Sequence, residues 1–341
     1  MIMRHAPPVV LLFFLAMAVF GCVGSSGPGR TGLTAQDAEV QRREAMAADS
    51  LDRAMQLFHN GQYLDQDAAL SYLDEAVELD PTLVTARYRR ALILLSRDRL
   101  ADAEADVRAV LELRPDHIQA RFTLGYLEYR HGDYVAAVRD LSTVLNQDDT
   151  VAEAFSLRGL AYAKTGRHED AVHDFDRAIA LSPAHFEAYF NRGLSRVAMG
   201  DDDGAMHDLT QALSLDSQSM PVLMARAAAS MRLGEYDRAE TDYRRALVLT
   251  PADSGLYALL AEACAGKADY AAAVIAARRA LGLARAEGDE RGAEVYAGLL
   301  EGYAARAAAA KSAPKPAPKS APKSKPKPEA DLPPETPPSG Q

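Results

Sequence analysis

Residues 152–183 read "AEAFSLRGLAYAKTGRHEDAVHDFDRAIALSP". Phe155, Gly159 and Tyr162 fall at helical spacing in the first half, and Ala171, Phe175 and Ala178 do so in the second. Gly166 stands between the runs, where a sharp turn is needed, and Pro183 stops the second. The stretch reads as a helical hairpin. Its small residues have a steric role, since Gly159 and Ala171 let the two helices approach and Phe175 fills the space beside them. One hairpin of this size cannot bury its apolar face, so neighbours of the same kind must stack on it.

Outward from this stretch, its marks return every 34 residues. Gly132, Gly166, Gly200 and Gly234 keep that step, as do Ala69, Ala103, Ala137, Ala171, Ala205, Ala239 and Ala273. Small residues recur at Ala91, Gly125, Gly159, Gly193, Ala227 and Ala261, and prolines at Pro81, Pro115, Pro183 and Pro251. Four ladders in one register are not produced by composition. A small residue at the eighth place, alanine at the twentieth, an aromatic or aliphatic residue at the twenty-fourth and proline at the thirty-second resemble the tetratricopeptide repeat. Seven units are expected over roughly 47–285. The resemblance implies an all-α, right-handed α-solenoid of about seven helix pairs.

Departures from the pattern carry their own expectations. Gly61-Gln62-Tyr63 runs ahead of the register set by Ala69, so the first unit has a small insertion in its turn. Asp149 and Ser217 replace the stop proline, which predicts a continuous or slightly bent helix at both places. The seventh unit has Ala268 for the turn glycine and Arg285 for the proline. Beyond it, Ala293, Tyr296, Ala297, Leu300, Tyr303 and Ala304 form one apolar stripe, expected to be a capping helix over the last unit. Thr34 with Asp37 reads as a capping signal that opens a long first helix.

In solenoids of this family the first helix of each pair lines the concave face, with places 2, 5, 9, 12 and 13 of the unit turned inward. The resemblance thereby assigns Tyr88, Leu92 and Leu95 to a groove, with Gln119, Phe122, Tyr126, Tyr129 and Arg130 from the third unit. Glu153, Ser156, Leu160 and Lys164 follow, then Glu187, Phe190, Leu194 and Val197. Aromatic residues so placed can anchor an amphipathic helix or an extended peptide; equally, some can serve only to pack one unit on the next. The carboxylate clamp of chaperone-binding family members is absent. Asn191 and Arg89 occupy suitable places, but Ser156, Leu160, Pro221 and Ala225 stand where its other residues belong.

Composition excludes several function classes. The 341 residues carry a formal charge of −10, which gives no support to nucleic-acid binding. Cys22 and Cys264 are the only two cysteines, too few for a disulfide framework or a thiolate metal site. The eight histidines show no metal-ligand spacing. His173-Asp174 and His207-Asp208 read as a repeat echo on a solvent face, and Asp201-Asp202-Asp203-Gly204 as an inter-helix turn. Cys264 falls at a buried place of its helix. No phosphate loop or nucleophile elbow occurs, so neither an enzyme nor a cofactor or metal site is expected.

At the amino end, Arg4 precedes an unbroken apolar run from Val9 to Phe20. Twelve helical residues rise roughly 18 Å, short of a bilayer core but suited to a signal peptide. Val19-Phe20-Gly21-Cys22 resembles the lipobox of bacterial lipoproteins, in which the cysteine is acylated and becomes the mature terminus. Ala16-Met17-Ala18 offers ordinary secretion as the alternative. The lipoprotein resemblance implies membrane anchoring through Cys22 on the exported side, and Val23 in place of aspartate favours the outer membrane. At the other end, "KSAPKPAPKSAPKSKPKPEADLPPETPPSG" (311–340) alternates lysine with proline and cannot form a core. It reads as a solvated tail or as a basic strip touching an anionic polymer such as cell-wall glycan.

The expected organisation is a signal peptide (1–21), a flexible tether (22–33), a solenoid (34–286), a capping helix (287–310) and a disordered tail (311–341). The expected function is an envelope scaffold that binds partner proteins, with a wall-associated structural protein as the alternative.

Overall fold

The computed structural model describes residues 34–312 apart from Asn60. The apolar run, Cys22, the tether and residues 313–341 lie outside the described residues. Within them the chain is an α-solenoid. The first hairpin pairs α1 (Ala35–Gln56) with α2 (Gln66–Leu79), and the second pairs α3 (Val84–Ser96) with α4 (Leu100–Leu113). Then follow α5 (Ile118–His131) with α6 (Tyr134–Gln147), α7 (Ala152–Lys164) with α8 (His168–Leu181), and α9 (Phe186–Met199) with α10 (Asp202–Leu215). The sixth hairpin is α11 (Met220–Leu233) with α12 (Tyr236–Leu249), and the seventh α13 (Ser254–Gly266) with α14 (Tyr270–Glu287). A last helix, α15 (Glu290–Ser312), packs on α14 and seals the stack with buried Tyr303 and with Leu299 and Leu300.

The turn glycines take the left-handed conformation, with φ of +86° at Gly132, +77° at Gly166, +80° at Gly200 and +75° at Gly234. Asp98 and Ala268 hold the same turn at φ of 60° and 62°, so the hairpin forms there despite the cost of a Cβ. Inside the hairpins the steric argument holds. A Cβ on Gly159 would lie 3.0 Å from the Phe175 ring, and one on Gly125 would meet Leu141 at 2.8 Å.

Two expectations fail at the joints between units. The chain does not run on as one helix at Asp149 and Ser217: α6 stops at Gln147 before α7 opens at Ala152, and α10 stops at Leu215 before α11 opens at Met220. The stop is made one residue earlier than the missing proline. Asp148 Oδ1 accepts from the Thr150 amide at 2.9 Å, and Asp216 Oδ1 accepts from the Gln218 amide at 3.0 Å. Such side-chain turns offer the backbone an alternative to the helix. The insertion of the first unit is a small β-hairpin, β1 (Phe58–His59) against β2 (Gln62–Tyr63), turned through Gly61 at φ +84°. Thr34 caps α1 in a reciprocal box with Asp37.

A second ladder, carried by charge, clamps the units. Arg90, Arg158, Arg192 and Arg226 recur on first helices, and each grips the aspartate 16 residues ahead with both prongs of its guanidinium. The Arg158 contacts to Asp174 are both 2.8 Å. The remaining nitrogen of the same arginine reaches back to the preceding second helix: Arg90 to Asp74 at 2.9 Å, Arg158 to Ser142 at 3.0 Å and Arg226 to Thr210 at 3.1 Å. Asp106, Asp174, Asp208 and Asp242 are all buried. Here the reading of His173-Asp174 and His207-Asp208 as a solvent face is corrected. The histidines are exposed, but the aspartates point inward because the arginine supplies the countercharge that makes burial tolerable.

Candidate functional site

The first helices of successive units touch one another directly, α5 to α7, α7 to α9 and α9 to α11, whereas among the described residues no pair of second helices is in comparable contact. First helices therefore lie on the inside of the curve, and their inward residues form the candidate partner surface.

In units two and three the surface is built around tyrosines. Tyr88 is half-buried, its ring 5.0 Å from that of His117 and its hydroxyl 3.3 Å from Thr123 Oγ1. His117 also opens α5: its Nδ1 accepts from the Ala120 amide at 3.1 Å, and burial, the largest cause, pulls its pKa down, which keeps that nitrogen free to accept. Tyr126 accepts from Arg130 at 2.9 Å, and Arg130 in turn pairs with Asp98 of the previous unit at 2.6 Å. Tyr129 packs beside Tyr134 at 5.5 Å, and burial pushes its hydroxyl pKa up to about 12. Leu92 is half-buried on the same face of α3.

Phe122 is a correction. It is only 7% exposed and belongs to the apolar interior with Leu141, Val144 and Phe155, so it holds units together and offers nothing to a ligand. Its place in the unit fixes the direction of its side chain but not how deeply the next hairpin covers it. Leu95 and Ser156 are likewise buried.

Further along, Glu153 and Leu160 are half-buried and Lys164 is exposed at the end of α7. On α9, Phe190 stacks with Phe186, their centroids 6.3 Å apart, and Leu194 is 38% exposed. Glu187 lies 3.4 Å from His185, whose hydrogen bond is the main cause holding the carboxyl below its ordinary range. Tyr126 and Phe190 belong to different apolar clusters, so the surface has two aromatic stations rather than one continuous aromatic wall. Inward-position reasoning does not find His117, Asp98 and Phe186, which act from helix starts and turns, nor Thr123, which is buried within α5 one place beyond Phe122. The two clamp-like residues are occupied: Asn191 donates to the Glu187 carbonyl at 2.7 Å, and Arg89 lies 4.9 Å over the Phe58 ring.

Cys264 is buried, and burial raises its thiol pKa. Among the described residues, no group of three or more His, Cys, Asp or Glu is placed to hold a metal, and no helix is long and apolar enough to cross a membrane.

Family models described as tetratricopeptide repeat match residues 51–118, 88–152, 186–219 and 221–253, and one described as TPR repeat matches 159–200. This chain is a tetratricopeptide-repeat protein. Among curated proteins it is 32% identical over 111 residues to the tetratricopeptide repeat and J domain-containing co-chaperone DNJ1 of Cryptococcus neoformans, covering 32% of this chain and 21% of that one. It is 33% identical over 103 residues to DnaJ homolog subfamily C member 3 of Rattus norvegicus, covering 30% of this chain and 20% of that one. The match thus spans about a fifth of the length of these relatives. A solved tetratricopeptide repeat protein from Parabacteroides merdae superposes with a TM-score of 0.50 at 18% identity, covering 77% of this chain and 98% of that one. The tetratricopeptide solenoid is the architecture of a protein–protein interaction scaffold, and none of the matching families is catalytic.

Proposed function

We propose that this tetratricopeptide protein is a non-enzymatic adaptor of the bacterial cell envelope that docks partner peptides or helices on the inner face of its first helices. The observation that carries the reading is the inward, partly exposed set of Tyr88, Tyr126, Tyr129, Phe190 and Leu194, with the helices of Tyr88 and Phe190 clamped through Arg90 and Arg192. Large, stiff side chains of this kind lose little freedom on binding and bury much apolar area. Arg130, Glu153, Lys164 and Glu187 supply mixed charge at the rim, which selects a partner rather than holding it.

The apolar run before Gly21-Cys22 supports export and acylation at Cys22, so that the solenoid hangs from a membrane, the outer one favoured by Val23. In this reading the chain divides into signal peptide (1–21), tether (22–33), solenoid (34–286), capping helix (287–310) and tail (311–341). The partners are envelope proteins, and neither nucleic acid nor a cofactor is involved. A second reading rests on the six lysines spaced by prolines over 311–328: the tail touches an anionic wall polymer, and the protein is a structural wall component.

One experiment separates them. Native protein recovered from detergent-solubilised envelopes is compared with the Tyr126→Ala/Phe190→Ala variant and with a chain lacking 311–341. An adaptor loses its co-purifying proteins in the first variant and keeps them in the second. A wall component shows the reverse for salt-sensitive wall retention. Fatty-acid labelling that disappears in Cys22→Ser tests the anchor.

A further inference from the structure

Between units two and six the arginine ladder has one gap, in unit three. Leu124 stands where Arg90, Arg158, Arg192 and Arg226 stand in other units, yet the buried aspartate is kept as Asp140. Of the clamp only Arg121 remains, meeting Asp140 Oδ1 at 2.9 Å. A second carboxylic acid faces the same aspartate. Glu128 occupies the place that Arg196 holds in unit five, where Arg196 reaches Asp208 at 2.9 Å. Glu128 is 6% exposed, its Oε2 is buried with no hydrogen-bond partner, and its side chain is in hydrogen-bonding contact with Asp140.

Two acids in contact inside a helical hairpin cannot both be charged at ordinary cost, because desolvation and like charge act in the same direction. Arg121 is spent on Asp140, and the cations facing Glu128 itself stand further off. Arg108 of α4 comes to 3.8 Å of Glu128 while pairing with Glu104, which also holds His131 at 3.1 Å. Arg139 of α6 is mostly exposed and 3.9 Å from Asp140. On α7, Arg158 is committed to Asp174 and Ser142.

We propose that the α5–α6 hairpin is a proton-dependent joint, in which Glu128 is held as the neutral acid donating to Asp140 and the hairpin loses stability as the surrounding solution becomes less acidic. The joint lies beside Tyr126 and Tyr129, so its stiffness bears on the face assigned above to partners, although the proposal stands without that assignment.

The direction with pH follows from linkage. Burial first, then the Asp140 charge, raises the Glu128 pKa from 4.5 to about 7. Below the lower value both folded and unfolded chains carry the proton, and Glu128 costs nothing. Between about 4.5 and 7 the unfolded chain ionises while the folded one stays neutral, so stability falls; above that range the penalty is constant.

The test is amide hydrogen exchange of the full chain, corrected for intrinsic exchange rates, from pH 5 to pH 8, for wild type and Glu128→Gln. The variant keeps the shape and the donor but removes the acid. Protection of α5 and α6 in the wild type should fall on the order of 50-fold relative to the variant and then level off, with α11 and α12 unaffected. Parallel profiles for the two proteins would overturn the proposal. Carboxyl carbon resonances of the wild type give a readout that needs no variant: one glutamate should titrate near neutrality. Titration of every glutamate below about pH 5.5 would overturn the proposal as well.

Discussion

The two sides of the same first helices obey different rules. On the side facing the second helices, Arg90, Arg158, Arg192 and Arg226 repeat one arrangement in units two, four, five and six. On the inner side the repetition is looser: leucine holds one place at Leu92, Leu160 and Leu194, but unit three has Tyr126 there and unit six Ala228. A repeat fold reuses one contact at most of its joints, whereas a docking surface needs a particular arrangement at one place. Regularity therefore marks what holds the stack, and irregularity marks the face on which partner docking is proposed.

That contrast can be broken or sharpened by substitution. The largest effect is expected at Asp208, which is fully buried beneath Arg192 and Arg196. Asp208→Ala should cost about 3–5 kcal/mol in urea unfolding, because it strands charge in the interior. Asp176, the half-exposed partner of the same Arg192, should cost under about 1 kcal/mol when replaced by alanine. Equal losses at the two aspartates would contradict the clamp.

On the irregular side, Tyr126→Ala should weaken partner binding by about 2 kcal/mol, roughly 30-fold in titration calorimetry. A comparable binding loss from an exposed second-helix residue such as Val135→Ala would remove the distinction between faces. A smaller effect of opposite sign is expected at the seventh turn. Ala268 is held at φ +62°, so Ala268→Gly should raise stability by about 1 kcal/mol, read as a higher thermal midpoint. The smallest change is predicted for Lys164→Ala, within about 0.5 kcal/mol in stability, since the side chain is exposed.

Much of the fold is legible because its marks are local. Gly159, Gly166 and Ala171 each signal a steric need within a few residues, and their step of 34 multiplies the signal. The helix breaks at Asp148 and Asp216 escape such a reading because proline is a conspicuous stop, whereas an aspartate stops a helix only through the turn its side chain closes. The arginine clamp is equally hidden. Its members lie on different helices, and neither residue looks unusual alone; only the shared step of Arg158, Arg192 and Arg226 with Asp174, Asp208 and Asp242 marks it. At the inner face, place in the unit sets direction but not depth, which is why Phe122 reads as surface and is core.

The arginine clamp has a consequence for how such a chain can change length. Each donor stands midway between its two acceptors, 16 residues from either. Excising 183–216 would bring Arg226 to the same spacing from Asp176 that it now has from Thr210, with Asp242 untouched. Units four to six can thus be removed or duplicated without orphaning a clamp, so that stretch can be shortened or extended like a string of couplings while its junctions stay closed.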